Sequence, residues 1–174
     1  RVDRRQRQMC IRDRADMNII NKTQVNSQLD YIRPDIVINS AAFTAVDAAE
    51  NDKDAAFQVN CKAAKIMADS CKRLSIPLIH LSTDYVFDGT KTASYDETDL
   101  TCPIGIYGKS KESGENAIRE ILTEHIILRT SWVYAAHGTN FVKTMLRIGK
   151  ERESLNVVDD QFGAPTFSGD IAAV

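Results

Sequence analysis

Glycine is missing from the first half of this 174-residue chain: all eight glycines fall at or after Gly89. A backbone that approaches a phosphate closely usually does so through glycine, at the N-terminus of a helix. Residues 1–88 therefore encode no glycine-rich phosphate cradle. Long apolar runs are missing too. The uncharged stretch Ile36–Val46 contains Asn39, Ser40 and Thr44 and is too short to span a bilayer. The four cysteines (Cys10, Cys61, Cys71, Cys102) form no C-x-x-C pair and no His/Cys metal spacing. That excludes a disulfide framework or zinc site as the expectation and suggests free thiols in a reducing cytoplasm. No metal is expected, and His80, His125 and His137 read as structural or exposed. A net charge of −2 gives no reason to expect nucleic acid or an anionic membrane as partner. Asn21-Lys22-Thr23 matches a glycosylation acceptor, but without a secretory signal it reads as chance.

What is present is ordinary for a globular domain: 43% hydrophobic and 26% charged residues, in a length that buries a substantial core. The first fourteen residues, RVDRRQRQMCIRDR, hold six arginines and no period. A basic arm for nucleic acid competes there with a non-native leader. The leader reading is preferred because the remaining chain is acidic. From Asp16 onward, short apolar runs alternate with amphipathic stretches. Val25 to Ile32 has helical spacing and stops at Pro34, and DIVINSAA (Asp35–Ala42) reads as a buried strand. Ala55–Leu74 reads as one helix, Leu78–Ser82 as a second strand and His125–Tyr134 as a third. Phe141–Lys150 is expected to be helical and LNVVDD (Leu155–Asp160) a short last strand.

Strands apolar on both faces and separated by helices imply an α/β fold with a doubly wound parallel sheet. Sites in such sheets lie beyond the carboxyl ends of the strands. That rule gathers Ser40–Thr44, Ser82–Asp84 and Thr130–Trp132 on one rim. The segment PIGIYGKSK (103–111) supplies a tyrosine and a lysine four residues apart, which share a face if it is helical. Composition alone gives about 0.3 such pairs by chance in a chain like this. Its position after the second strand raises it above that level. A phenol beside an ammonium is a candidate proton donor, since the charge favours phenolate.

LSTDYVFDG (81–89), YGKSKESGE (107–115) and RTSWVY (129–134), in that order, resemble the extended short-chain dehydrogenase/reductase family. With INSAAFTAVDAAE (38–50) and DDQFGAPT (159–166), they are similar to the group that reduces nucleotide-activated 4-keto-6-deoxy sugars. The resemblance runs from about Asn18 to the last residue. It implies reduction, with NADPH or NADH, of the 4-keto group of dTDP-4-dehydro-6-deoxy-L-mannose to dTDP-L-rhamnose. It also implies a dTDP-sugar substrate, a cytoplasmic location and room for a homodimer in a longer parent. By position, Tyr107 matches the proton donor, Lys111 the lysine that tunes it and holds the nicotinamide ribose, and Thr83 a hydroxyl polarising the carbonyl. Asn18, Ile19, Ala42, Phe43, Thr44 and Leu81 fall at cofactor positions, and Asp84, Trp132 and Gln161 on the substrate side. Asn60 matches a member of the active-site network in relatives, although a buried helix asparagine reads equally well.

The family opens with a strand and a glycine-rich turn, and this sequence has neither. The expectation is an internal piece of a longer reductase, inactive or nearly so by itself: an incomplete Rossmann-like domain at 15–136, without first strand or glycine-rich turn, then the beginning of a substrate-binding region at 137–174. Other readings are a nucleotide-sugar epimerase or dehydratase of the same family, or a non-catalytic partner-binding relative resembling the regulatory subunit of methionine adenosyltransferase.

Overall fold

The computed structural model describes residues 17–173. The expected leader at 1–14 lies outside the described residues. Two compact units divide the chain, one ending at Arg129 and the other beginning at Thr130.

The first unit opens with helix α1 (Lys22–Ile32). Asn21 caps it, its side chain accepting from the backbone N–H of Thr23 and Gln24 at 3.1 and 3.2 Å. The helix ends at Arg33, in the left-handed region with φ 46°, ahead of Pro34. Strand β1 (Val37–Asn39) follows and is shorter than expected, because 40–45 leave the sheet as a loop of small residues. Two short helices come next, α2 (Val46–Asn51) and α3 (Lys53–Phe57). The expected long helix is interrupted: a π-helical turn (Gln58–Lys62) separates α3 from α4 (Ala63–Leu74). Strand β2 (Leu78–Thr83) pairs parallel with β1, matching Val37 to Leu78, Ile38 to Ile79 and Asn39 to His80. Helix α5 (Ile106–Ile121) carries Tyr107 and Lys111, and β3 (His125–Thr130) completes a sheet of order β1-β2-β3. Helices between parallel strands are the expected α/β architecture.

Alternation along the strands sets what faces what. Leu78, His80 and Ser82 are buried on one face of β2, and Ile79 and Leu81 on the other are only half-buried. The apolar core joins Val25 and Leu29 of α1, Ala64, Met67 and Cys71 of α4, Leu78 of β2 and Ile118 of α5. On the opposite face of the sheet Ile38 and Ile126 stand 63% and 54% exposed.

Glycine decides how closely α5 can pack. A Cβ on Gly114 would come within 2.2 Å of the Asn60 carbonyl oxygen, and one on Gly108 within 2.1 Å of that of Tyr85. Both obstacles are backbone, so neither can swing aside.

In the second unit, β4 (Val133–Tyr134) pairs parallel with β5 (Thr166–Phe167), and α6 (Phe141–Glu151) starts at an Asn140 cap. A short α7 (Ser168–Ala173) follows. The expected single strand 125–134 breaks at Trp132, whose φ of 46° is incompatible with extended backbone. The expected strand Leu155–Asp160 does not form. Among the described residues the segment has no ladder partner, and Val157 and Val158 stand exposed.

Gly114→Ala should destabilise the chain by roughly 1–3 kcal/mol through overpacking against a rigid carbonyl. Urea unfolding reads this as a lower midpoint at unchanged slope. An unchanged midpoint would contradict the close approach.

Candidate active site

Thr83 ends β2 and caps the single 3₁₀ turn that follows (Asp84–Val86). Its hydroxyl accepts from the Tyr85 N–H at 3.2 Å and donates to Asp84 Oδ1 at 3.1 Å. Tyr107 lies one residue inside α5, buried among Ala49 and Ala56 with Phe43, Val46 and Ile106 around them. Its ring meets Tyr85 edge-on at 5.5 Å. The helix is started from outside: the Ile106 N–H donates to Glu50 Oε1 at 2.7 Å.

Lys111 is only 2% exposed. It donates to the Leu81 carbonyl at 2.6 Å and stands 3.4 Å from His80 Nε2. Burial pulls its ammonium down to about 8, against the opposing charge of Glu115. Burial pushes the Tyr107 phenol up, while the Thr83 hydroxyl acts in the other direction and Asp84 and Tyr85 add to the rise. This is opposite to the lowering expected from a lysine one turn away. The reason is geometric: Lys111 points its Nζ at the Leu81 carbonyl and His80.

Behind these residues lies a buried polar layer. Glu115, fully buried, accepts from Ser82 Oγ at 2.5 Å, from Arg129 at 2.7 and 3.1 Å and from Arg119 at 2.9 Å. Burial alone would raise its carboxyl, but hydrogen bonds from Arg129 and Ser82 outweigh it and hold the group below its ordinary range. His80 is fully buried, and burial together with the Lys111 charge takes its imidazole down to about 3. Asn60, in the π turn, grips the loop after β1 from both sides. Its Oδ1 accepts from the Phe43 N–H at 2.8 Å, and its Nδ2 donates to the Phe43 carbonyl at 3.2 Å and to Ser110 Oγ at 2.9 Å. Ser110 Oγ in turn donates to the Tyr107 carbonyl at 2.7 Å.

The structure thus brings Thr83, Asp84 and Tyr107 together and sets Lys111 against Leu81. Phe43 is fixed through Asn60, and Ala42 and Thr44 flank it in the same loop. Asn18 and Ile19 serve the start of α1: the Asn18 N–H donates to Gln24 Oε1, its Oδ1 accepts from the Ile20 N–H, and Ile19 packs on the core. In the second unit, Trp132 packs edge-on against Phe141 at 5.4 Å, and its indole nitrogen lies where a Cβ on Gly163 would fall. Ser131 Oγ beside it is the buried side-chain polar atom without a hydrogen-bond partner among the described residues. Gln161 sits in an exposed loop.

Sequence reasoning missed Asn39, Glu115 and Arg129 and took His80 as structural or exposed. The available signal was polar residues at inward positions of strands otherwise apolar: Asn39, His80, Ser82 and Arg129.

Parallel strands with a buried Tyr-x-x-x-Lys helix beside their carboxyl ends define a Rossmann-like protein of the short-chain dehydrogenase/reductase class. The chain belongs to the RmlD substrate binding domain family, whose model matches residues 1–174. It is 45% identical over 173 residues to the dTDP-4-dehydrorhamnose reductase of Aggregatibacter actinomycetemcomitans, covering 99% of this chain and 59% of that protein. The Escherichia coli K12 protein of the same name is 50% identical over 146 residues, 84% of this chain and 49% of its own. The Bacillus anthracis dTDP-4-dehydrorhamnose reductase, crystallised in complex with NADP, superposes with a TM-score of 0.90 at 43% identity, over 93% of this chain and 58% of that one. The chain spans about half the length of the curated relatives it matches.

His80 makes the unit acid-labile. Its folded value near 3 lies below the unfolded 6.5, so its contribution is complete above 6.5 and is lost as pH falls toward 3. One such proton costs about 2 kcal/mol between pH 6.5 and 5. His80→Gln, which stays neutral, should flatten that slope. Urea midpoints of both proteins at pH 7 and pH 5 check it, and parallel slopes would refute it.

Proposed function

We propose that this chain carries the reducing chemistry of a dTDP-4-dehydrorhamnose reductase, delivering NADPH- or NADH-derived hydride to the 4-keto carbon of a dTDP-4-dehydro-6-deoxy sugar to give dTDP-L-rhamnose. One observation carries the reading: Thr83 and Tyr107 meet at the carboxyl end of β2, and Lys111 is seated on the Leu81 carbonyl of the same strand, in a chain 45–50% identical to proteins of that name. A NADP complex of a relative at 43% identity supports the nicotinamide cofactor, with NADPH the first to test.

The residues fit one half of such a cofactor. The hydroxyls of Tyr107 and Thr83 and the amine of Lys111 form the donor set that a ribose and a reacting carbonyl require. The loop Ala42–Thr44 passes over the ends of the strands with its backbone held by Asn60. No glycine precedes Gly89, so the chain's own residues supply no cradle for the pyrophosphate. When bound, the nicotinamide supplies the hydride. Tyr107 gives its phenolic proton to the carbonyl oxygen as charge builds there. Thr83 can donate to the same oxygen once its proton leaves Asp84. Lys111 orients the ribose hydroxyls and, when protonated, stabilises the phenolate left behind. Trp132 and Gln161 of the second unit, with Asp84, are the substrate-side candidates. The chain alone is inferred to be inactive or nearly so, for want of the pyrophosphate cradle. Nucleic acid is not a proposed partner, a homodimer belongs to a longer polypeptide, and the location is cytoplasmic. Among the described residues no helix is long and apolar enough to cross a membrane.

The test is a hybrid in which this chain replaces the matching segment of the Aggregatibacter reductase. The hybrid should oxidise NADPH in the presence of dTDP-4-dehydrorhamnose, and Tyr107→Phe should lower turnover by ~10²–10⁴. A folded hybrid without turnover, or a Tyr107→Phe hybrid at full rate, would sink the reading.

A further inference from the structure

Three buried groups stand in a row across the sheet and onto α5: Asn39 on β1, His80 beside it on β2 and Lys111 above. The parallel register pairs Asn39 with His80, so both side chains leave the same face of the sheet. Asn39 Oδ1 accepts from the Ala41 N–H at 3.2 Å, which fixes the amide's orientation. Its NH2 therefore faces His80 Nδ1, at 3.1 Å. An amide nitrogen only donates, so Nδ1 must be the bare, accepting nitrogen of the ring. A second ring proton would find no acceptor there, and His80 is neutral. Its one proton lies on Nε2, directed at Lys111 Nζ. An ammonium has no lone pair to receive it, whereas an amine does.

We propose that His80, locked by Asn39 with its proton on Nε2, is a positioning residue that donates to Lys111 Nζ and favours the amine over the ammonium.

The inference rests on the reading of Lys111 as the partner of Tyr107, whose phenolate it stabilises only when charged. Other groups bear on the same lysine. Glu115, one turn further along α5, draws both Lys111 and His80 toward protonation. Arg129 of β3 and Arg119 of α5 offset that carboxylate by pairing with it. Tyr107, one turn earlier, and Asp84 and Tyr85 beyond β2 are further titratable groups on the rim. Burial, opposed by Glu115, already brings the Lys111 ammonium down to about 8, within reach of cellular pH. Its charge is present below that value and lost above it.

The test uses the chain as it stands, labelled with ¹⁵N at histidine and lysine. Long-range ¹H–¹⁵N spectra of the parent should show His80 neutral through pH 5, with Nε2 protonated and Nδ1 bare, and Lys111 titrating near 8. In Asn39→Ala, which adds no charge, the ring proton should move toward Nδ1. Nε2 then accepts from the ammonium, and the Lys111 titration should rise by about one pH unit, a tenfold change in its protonation equilibrium. A parent ring protonated on Nδ1 overturns the inference without any variant. So does an Asn39→Ala chain whose His80 tautomer stays put, or one in which it moves while Lys111 does not. None of these readouts needs turnover, so an inactive hybrid would count against the proposed function alone.

Discussion

The layer between β2 and α5 holds a lysine, a histidine and a glutamate, each no more than 2% exposed. Leaving any of them charged and unpaired there would cost several kcal/mol, and the three groups meet that cost in different ways. Glu115 keeps its charge because two arginines and a serine meet it. His80 gives up its charge and spends both ring nitrogens on neighbours. Lys111 is left with a backbone carbonyl and an imidazole, neither carrying an opposite charge. The bare backbones of Gly108 and Gly114 let α5 pack closely on the turn after β2 and on the π turn that carries Asn60.

Rigidity at the rim follows from the same layer. Tyr107 does not ride on a free helix end: its carbonyl is tied through Ser110 to Asn60, and Asn60 holds the loop carrying Phe43. Loop, π turn and helix form one hydrogen-bonded assembly, so the Tyr107 backbone and the loop after β1 are set by common atoms. Thr83 is the adjustable member, because its proton already has a partner in Asp84. Under the proposed function, a carbonyl reaching the rim would compete with that carboxylate for the Thr83 proton.

Much of this was legible in the residues. Helices α1 and α6 and strand β2 lie close to where apolar spacing places them, and Tyr107 and Lys111 do fall on one helix, α5. What was not legible depended on pairing across the chain. The β1–β2 register, which puts Asn39 next to His80, is a property of two strands and shows in neither alone. Leu155–Asp160 has the local look of a strand, but a strand also needs a neighbour. The break at Trp132 rests on a backbone angle for which tryptophan gives no hint. The i, i+4 spacing of Tyr107 and Lys111 left open where the lysine head would point.

The π turn at Gln58–Lys62 has a consequence for how this stretch can vary in length. Such a turn amounts to one residue inserted into an α-helix. Deleting a residue there would restore the regular ladder, yet turn everything before it by about 100° relative to α4. Asn60 would then leave Phe43 while Ala64 and Met67 kept their seats in the core. The stretch can regain ideal helical geometry only by giving up the loop it holds, so single-residue deletions there are tolerable to the core and ruinous to the rim.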